Sequence, residues 1–426
     1  MSYLKFTADK IFNGTKFLED KQVLITTQTG VIENLVPLSE GGDDVQYLAG
    51  ILSPGFINSH CHLELSHMKG IIPEKTGLVD FVITVMQQRG FAEEVIYNAI
   101  EQAEAEMISN GIVAVGDICN TAHTLPQKQK GGLHYYNFIE ATGFVPAFAQ
   151  KRFEQAEAVW KQFEDSEKLK VKSEELIDRQ LLTFNSILLT SSIVPHAPYS
   201  TSPELMRLTN EHSAGKTITI HNQESQEENG FFLTGESGFR RLFKLFNIDI
   251  SFFQPPGKTS LQTYLPELDK AGKLIMVHNT FTSEEDVFFV NRQSSIVNRE
   301  NSNQSAPKES SKTIHNLQSP IWCLCPNANL YIEDTLPPVD MLRKHNCNIV
   351  LGTDSLASNN MLCILGEVKT LRRHFPHIGL EEMLQWATLN GAKALGMDGL
   401  LGGFEKGKKP GVLSFNYELN ELKRLA

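Results

Sequence analysis

Two histidines one residue apart close an apolar run early in the chain. The segment Ile51-Leu-Ser-Pro-Gly-Phe-Ile-Asn-Ser-His60-Cys-His62 begins with aliphatic residues and ends in His60-x-His62. Residues two apart in a strand point to the same side, so a strand over residues 55–59 sends both imidazoles from one face at its C-terminal end. Imidazole is the commonest metal ligand at neutral pH, and this pair supplies half of a metal site. Taken alone, the motif is equally compatible with a surface loop.

Polar residues close four later apolar runs in the same way. Three histidines and one aspartate hold these positions: His196, His221, His278 and Asp354. Three nitrogens and one carboxylate, from His60, His62, His221 and Asp354, suit one Zn²⁺ ion, with Fe²⁺ or Mn²⁺ as alternatives, and leave room for a water. A metal in such a site lowers the pKa of its water to about 7 and makes hydroxide available.

Glu224 follows His221 by three residues, where the chain leaves its strand. A carboxyl group there can shuttle a proton from water to a leaving group. The alternative is a solvated loop carboxylate, since Glu227 and Glu228 are nearby. His278 is expected to hold or polarise the attacking water.

The elements that must position these residues alternate in type along the chain. Strand-like runs span residues 55–59, 111–118, 134–141, 187–194, 217–220, 274–277, 321–324 and 348–351. Helical candidates span residues 92–109, 155–169, 176–183, 202–208, 284–291 and 338–345. Eight strands, most followed by a helix, predict an α/β fold of the (β/α)8 TIM barrel type, whose strand ends meet at one mouth. A doubly wound sheet is the main competitor, but neither G-x-G-x-x-G nor G-x-x-x-x-G-K-[ST] is present.

Short β-type segments flank this pattern at both ends of the chain. Residues 1–53 and 404–426 are predicted to form a small β-sandwich domain, and residues 54–403 the barrel. Residues 291–319 are rich in Asn, Gln and Ser and interrupt the α/β pattern. They are predicted to be a polar surface insertion.

Composition excludes several classes of protein. The formal net charge of -11 argues against a nucleic-acid-binding or anionic-membrane surface. The six cysteines are sparse and lie in apolar contexts, so buried thiols are favoured over a disulfide framework. No apolar run approaches the ~20 residues of a membrane span, and the first residues do not resemble a signal peptide. A cytoplasmic protein is expected, and a homodimer is left open.

The motifs together resemble the amidohydrolase superfamily over nearly the whole chain. Its motif order is matched by Pro54-Gly-Phe-Ile-Asn-Ser-His60-Cys-His62, Val194-Pro-His196-Ala-Pro-Tyr-Ser, His221-x-x-Glu224, His278-Asn-Thr and Gly352-Thr-Asp354-Ser. The closest branch holds adenosine-type, guanine and cytosine deaminases and triazine chlorohydrolases. The resemblance implies a mononuclear metal bound by His60, His62, His221 and Asp354. It also implies proton transfer by Glu224, with His278 and Asp354 positioning the nucleophile.

The resemblance assigns substrate contacts as well. Binuclear members carry a carboxylated lysine at the end of strand four, where this chain has His196, so the mononuclear branch is favoured. In S-adenosylhomocysteine and methylthioadenosine deaminases a Pro-His-x-Pro-Tyr motif supplies a histidine that contacts the substrate, and the resemblance implies this role for His196. The loop His62-Leu-Glu64 is nearest to that of aminofutalosine deaminases. Glu64 is therefore expected to face the substrate, with a helix-cap or salt-bridge role as the alternative. Further contacts are expected near Arg89, His123, Arg152 and residues 231–246. The C-terminal Pro410-Gly-Val-Leu-Ser-Phe departs from the family pattern, which affects only the β domain.

These observations predict a metal-dependent hydrolytic deaminase that releases ammonia from the exocyclic amine of a purine nucleoside-like small molecule. Aminofutalosine, S-adenosylhomocysteine, methylthioadenosine and adenosine are the substrate types implied. A guanine or cytosine deaminase or a triazine-type chlorohydrolase is the alternative enzyme, and a non-catalytic binding scaffold is the alternative of another class. No nucleic acid and no membrane is expected as a partner.

Overall fold

The computed structural model describes residues 2–174, 189–300 and 320–426, and within them the chain has an α/β fold. The strands are β1 Tyr3–Ile11, β2 Gln22–Thr27, β3 Ile32–Pro37, β4 Gln46–Pro54, β5 Phe56–Cys61, β6 Ile112–Cys119, β7 His134–Ala141, β8 Leu189–Pro195, β9 Thr217–Asn222, β10 Lys273–His278, β11 Ile321–Leu324, β12 Asn348–Leu351, β13 Val412–Phe415 and β14 Leu422–Arg424.

Helices follow most of the inner strands. They are α1 Leu78–Gln88, α2 Glu93–Ser109, α3 Leu125–Lys128, α4 Ala149–Glu174, α5 Pro203–His212, α6 Gln226–Thr234, α7 Phe239–Leu245, α8 Ser260–Tyr264, α9 Glu284–Glu300, α10 Pro326–Glu333, α11 Val339–Lys344, α12 Ile364–His374, α13 Leu380–Gln385 and α14 Gly391–Ala394, the last two joined by a π turn over Trp386–Asn390. Among the described residues, no helix combines the length and the apolar character needed to cross a membrane.

Two four-stranded parallel sheets form the centre of the fold, in the orders β5-β6-β7-β8 and β9-β10-β11-β12. Every residue of β5, β6 and β9 is buried. Parallel strands covered on both faces read as continuous apolar runs, which is why the sequence indicates them well. The strands end at the same edge because they run in the same direction.

Backbone contacts join the two sheets at both of their seams. The His221 N–H donates to the His196 carbonyl at 2.9 Å, between β8 and β9. The N–H groups of Thr353 and Asp354 donate to the His60 carbonyl at 3.0 and 3.1 Å, between β12 and β5. Gly352 permits the second approach, because a Cβ atom at this position would lie 2.8 Å from the His60 Cβ.

The terminal segments come together in a separate sheet of six strands, in the order β14-β13-β4-β1-β2-β3. Within it β1 pairs with β4 in parallel, and β13 pairs antiparallel with both β4 and β14. Where the sequence predicts a β-sandwich, the described residues therefore form one mixed sheet. Phe6, Leu24 and Val412 are among the side chains buried in its own apolar cluster.

Several predicted bounds differ from the structure. The strand predicted for residues 187–194 is observed from Leu189 to Pro195, and residues 187 and 188 lie outside the described part. The helix predicted for residues 176–183 also lies there. The helix predicted for residues 284–291 begins at Glu284 as expected but continues through Glu300, into the first part of the predicted polar insertion. Residues 301–319 lie outside the described residues.

Candidate metal centre and active site

Three imidazoles converge at the ends of β5 and β9. The candidate ligand atoms of His60, His62 and His221 all lie within 4.8 Å of one another, and all three residues are buried. The Nε2 atoms of His62 and His221 are 3.1 Å apart. The i, i+2 spacing in a strand therefore does place both His60 and His62 at one point, as their sequence positions predict.

Asp354 brings a carboxylate to the same point from the end of β12. Its Oδ1 lies 3.6 Å from His60 Nε2 and 3.5 Å from His62 Nε2. Its Oδ2 accepts a hydrogen bond from the Ser358 hydroxyl. Burial alone would raise the pKa of Asp354, but the neighbouring rings of His60, His62 and His278 lower it below its ordinary value. The group is an anion at neutral pH.

This donor set suits a divalent metal. Both ring nitrogens of His60 and Nδ1 of His62 are buried and make no hydrogen bond within the described residues. Burial is the main reason why the pKa of His62 lies well below its ordinary value, and why that of His221 falls to about 4. Neutral imidazoles and an ionised carboxylate are the protonation states that bind zinc and similar metals.

The ring orientation of His221 is fixed by its own backbone surroundings. Its Nδ1 donates to the His196 carbonyl at 2.9 Å. The ring therefore presents Nε2 to His62, which is the arrangement expected of a metal-binding histidine whose second nitrogen is hydrogen bonded to a carbonyl.

Glu224 and His278 form a second pair beside the three imidazoles. Glu224 Oε1 lies 3.5 Å from His278 Nε2, and His278 also groups with His60 and Asp354 within 4.8 Å. Burial, followed by the negative charge of Asp354, raises the pKa of Glu224 well above its ordinary value. Burial lowers the pKa of His278 well below its ordinary value. Burial thus favours the protonated form of the Glu224 carboxyl group and the neutral form of the His278 imidazole.

Backbone strain is concentrated at these strand ends. Gln223, His278 and Asp354 have φ angles of 46°, 74° and 58°. Residues other than glycine rarely adopt this left-handed region, and where they do they are often held there at functional sites. The backbone turns sharply at the positions from which His278 and Asp354 face the centre.

His196 lies beside the three imidazoles, with its ring centroid 4.8 Å from that of His221. Its Nδ1 is hydrogen bonded to the Ser200 hydroxyl at 2.5 Å, so Nε2 remains available to another molecule. Burial, followed by the charges of His60 and Arg89, lowers the pKa of His196 to about 4. His196 is therefore a neutral hydrogen-bonding group near neutral pH.

Residues 51–424 match the model of the amidohydrolase family. The chain belongs to this family. A 5′-deoxyadenosine deaminase of Methanococcus vannielii is 24% identical over 92% of this chain and 81% of the relative. A 5-methylthioadenosine/S-adenosylhomocysteine deaminase of Teredinibacter turnerae is 25% identical over 96% of this chain and 81% of the relative. The solved structure of Helicobacter pylori aminofutalosine deaminase in complex with methylthio-coformycin has a TM-score of 0.74 at 20% identity, covering 99% of this chain and 97% of the other. That likeness shows a shared fold.

Glu64 is hydrogen bonded to the chain that follows β6 in this amidohydrolase. Its carboxylate accepts hydrogen bonds from the Asn120 N–H, the Thr121 N–H and the Thr121 hydroxyl at 2.9–3.1 Å. These donors come from the chain that leaves β6, so Glu64 fixes that loop against the segment after His62. Both oxygens are already engaged, which favours the structural alternative over a substrate contact.

The loops predicted to contact substrate are only partly connected to the centre. The charge of Arg89 acts on His196 and on the nearby Glu140. The segment 231–246 contributes Phe239, whose ring stacks on Tyr199 at 4.1 Å, and Tyr199 packs edge-on against His196. His123 packs against Tyr97, and Arg152 reaches Gln155, so the structure shows no link from either of these two to the centre.

Two buried polar residues beside the centre were missed by the sequence analysis. Glu140, near the end of β7, lies 3.6 Å through Oε1 from His221 Nδ1. Asn329, in α10, brings its side-chain nitrogen to 3.5 Å from His278 Nδ1. Glu140 had a detectable signal, because it is a charged residue inside an apolar strand one position before the strand ends. Asn329 had none, because it lies in a helix.

Proposed function

We propose that this chain is a metal-dependent hydrolytic deaminase that removes the exocyclic amine of a purine nucleoside-like substrate as ammonia. The observation that carries the proposal is the meeting of a buried Glu224–His278 pair with the group formed by His60, His62, His221 and Asp354. The curated relatives named 5′-deoxyadenosine deaminase and 5-methylthioadenosine/S-adenosylhomocysteine deaminase support the substrate class.

The proposed scaffold is one closed (β/α)8 barrel with a small β domain made by the chain ends. The hydrogen bonds from His221 to His196 and from Asp354 to His60 support closure, since they join the two parallel sheets at both seams. A barrel of this kind gathers its active site at the C-terminal ends of the strands. His60, His221, His278 and Asp354 all occupy such ends.

The proposed metal ligands are His60, His62, His221 and Asp354, and zinc is the proposed ion. A divalent metal at this position would supply the Lewis acidity that makes water nucleophilic at neutral pH. His278 holds the attacking water through a ring nitrogen, and Asp354 accepts a proton from it. Burial would raise the pKa of Asp354, but the surrounding imidazoles lower it below its ordinary value, so this carboxylate stays ionised and able to accept.

Glu224 carries the proton in the opposite direction. In its protonated form it donates to the ring nitrogen next to the carbon under attack. The carbon gains the water oxygen, and the bond to the exocyclic nitrogen then breaks. That nitrogen receives the proton that Asp354 took from water and leaves as ammonia. The proton of the new hydroxyl group returns to Glu224, and the ring carbon is left as a carbonyl. Positioned proton transfer of this kind contributes a factor of about 10² to 10⁴ in rate.

An ammonia-release screen tests the proposal. The zinc-reconstituted protein is offered adenine nucleosides, guanine, cytosine and triazines, and ammonia and chloride are both measured. Turnover of one or more adenine nucleosides is expected, with Glu224→Gln as the inactive control. Turnover of guanine or cytosine alone, or chloride release from a chlorotriazine alone, would replace the proposed substrate class. Retention of zinc without turnover on any compound would favour a binding scaffold.

A further inference from the structure

Glu140 is a buried carboxylate whose two oxygens have very different surroundings. Its Oε2 accepts a hydrogen bond from the side-chain amide of Asn120 at 3.0 Å. Its Oε1 is buried and has no hydrogen-bond partner within the described residues. The nearest cationic or potentially cationic group in the structure is the Nδ1 of His221, 3.6 Å from Oε1.

A carboxylate in these surroundings requires a physical reason. An isolated buried anion is strongly unfavourable unless it is paired or hydrogen bonded. The buried lysine of the same region does not pair with it, because Lys128 is bound to Asp117 and Asn137. Arg89 acts on Glu140 only from beyond ion-pair distance. The described protein groups therefore leave the charge of Glu140 without a close partner.

The charge of the metal centre supplies that reason. The proposed ligands are three neutral imidazoles and the single carboxylate of Asp354, which leave a divalent ion with one uncompensated positive charge. A bound ion is the largest charge in such a site and governs its electrostatics. The carboxylate of Glu140, which lies 3.6 Å from the ring of the proposed ligand His221, would bring the total charge of the buried centre to zero.

We infer that Glu140 is a positioning residue that acts through His221 and neutralises the remaining charge of a divalent metal held there. This inference rests on the proposed function of the site. The N–H of His221 Nδ1 donates to the His196 carbonyl at 2.9 Å, and Glu140 Oε1 lies 3.6 Å from the same nitrogen, close enough for its charge to act on the ring. Partners of this kind, beyond the ligands themselves, typically change metal affinity or activity by 10- to 100-fold.

The test separates charge compensation from a structural role. Zinc affinity is measured by competition with a chelator, and the melting temperature of the metal-free protein is measured in parallel. Glu140→Gln keeps the size of the side chain and an oxygen for Asn120, but removes the charge. Zinc affinity is expected to fall by about 10- to 100-fold. The melting temperature of the metal-free variant is expected to equal or exceed that of the wild type, because burial raises the pKa of Glu140 and disfavours its charged form when no metal is bound.

Glu104→Gln is the matched control. Glu104 is equally buried, but its oxygens accept from Tyr135 and Gln127 rather than facing a histidine of the centre. Its replacement should leave zinc affinity unchanged. Such a result, beside a selective loss in Glu140→Gln, would support the inference.

Three results would overturn it. Equal zinc affinity in Glu140→Gln and wild type would overturn the inference alone. A lower melting temperature of metal-free Glu140→Gln would assign Glu140 to structure. Two zinc equivalents in the wild type and one in the variant would make it a ligand of a second metal. Wild-type protein that binds no divalent metal would instead overturn the proposed function, and this inference with it.

Discussion

Glu224 Oε1 lies 3.5 Å from the Nε2 of His278, the last residue of β10, and Glu224 itself follows the end of the neighbouring strand β9 by two residues. Both groups are shifted by burial in the direction of their uncharged forms, since the pKa of the carboxyl is raised and that of the imidazole is lowered. Proton transfer to a substrate needs a donor that still holds its proton at neutral pH. Burial makes the Glu224 carboxyl group such a donor, and the neighbouring imidazole of His278 can direct a water molecule.

Replacement of Glu224 by glutamine should separate proton transfer from metal binding. The amide has nearly the same shape but cannot exchange a proton, so Glu224→Gln should keep its zinc and its melting temperature. Its turnover should fall by about 100-fold or more, since positioned acid–base groups contribute about that much. Steady-state kinetics beside elemental analysis measures both. Turnover within tenfold of the wild type would return Glu224 to the role of a loop carboxylate.

The metal content itself is a prediction. Elemental analysis of the purified protein should give about one equivalent of divalent metal per chain. His221→Ala should lose both metal and activity, because it removes one of the three nitrogens that lie within 4.8 Å of one another. Two tightly bound equivalents in the wild type would contradict the mononuclear site, and a fully metallated His221→Ala protein would remove this residue from the ligand set.

Ser358 should influence the centre through Asp354. Its hydroxyl donates to Asp354 Oδ2, which leaves Oδ1 directed at His60 and His62. Ser358→Ala removes this hydrogen bond, so the carboxylate of Asp354 is free to rotate. Metal affinity or activity should fall by about 10- to 100-fold, as it does when other groups that orient metal ligands are removed. Ser355→Ala is the control, because Ser355 contacts Ser358 but not the carboxylate. Equal effects in the two variants would indicate a general disturbance of the loop.

How much of this arrangement can be read from the sequence depends on how local each contact is. The bounds of β11 and β12 are predicted correctly, because parallel strands buried on both faces are continuous apolar runs. The convergence of His60 and His62 follows from a spacing of two in one strand. The contacts of Glu64 are not local in sequence, because its hydrogen-bond donors belong to residues 120 and 121, more than fifty positions away. Nothing in the local pattern around Glu64 indicates where those donors lie.

Glu228 should make the stability of the metal-free protein depend on pH. Burial raises its pKa from 4.5 to about 7, while its Oε1 accepts from the Gln223 N–H and the Ser260 hydroxyl. Since the folded pKa lies above the unfolded one, the folded state binds more protons between these values. The contribution of Glu228 is therefore fully present below about pH 4.5 and is lost as the pH rises through about 7.

Glu228→Gln should remove this dependence, because its amide oxygen can keep both hydrogen bonds and its nitrogen does not titrate. The two proteins should be equally stable near pH 4.5, and the variant should be more stable by about 3 kcal/mol above pH 7, an order-of-magnitude value from 1.36 kcal/mol per pKa unit. Urea unfolding of the metal-free proteins across this range measures the difference. A difference that is constant with pH would mean that Glu228 is ionised in the fold at all these values.

The role of His196 is decided by what its replacement leaves intact. The residue lies between Pro195 and Pro198, and its Nδ1 is held by Ser200, so the direction of the ring is fixed. The other ring nitrogen makes no hydrogen bond to any residue of the described part of the chain, and the low pKa of about 4 keeps the ring neutral. It is not needed as a metal ligand, because His60, His62, His221 and Asp354 already supply four donor groups. A hydrogen bond to the substrate is the remaining role.

His196→Ala should therefore retain its metal and its melting temperature but lose kcat/KM by about ten- to a thousandfold, which corresponds to about 1.5–4 kcal/mol of transition-state stabilisation. His212→Ala serves as the control, because that histidine packs against Trp160 and Phe153, away from the centre. Kinetics, elemental analysis and thermal unfolding are measured on both variants. If His196→Ala loses its metal, the carbonyl of residue 196 no longer orients His221 correctly, or the ring itself is a ligand. His196→Gln provides a further test of the substrate contact. Its side chain can still donate or accept a hydrogen bond but cannot replace an imidazole as a metal ligand. It should therefore restore kcat/KM only if His196 contacts the substrate.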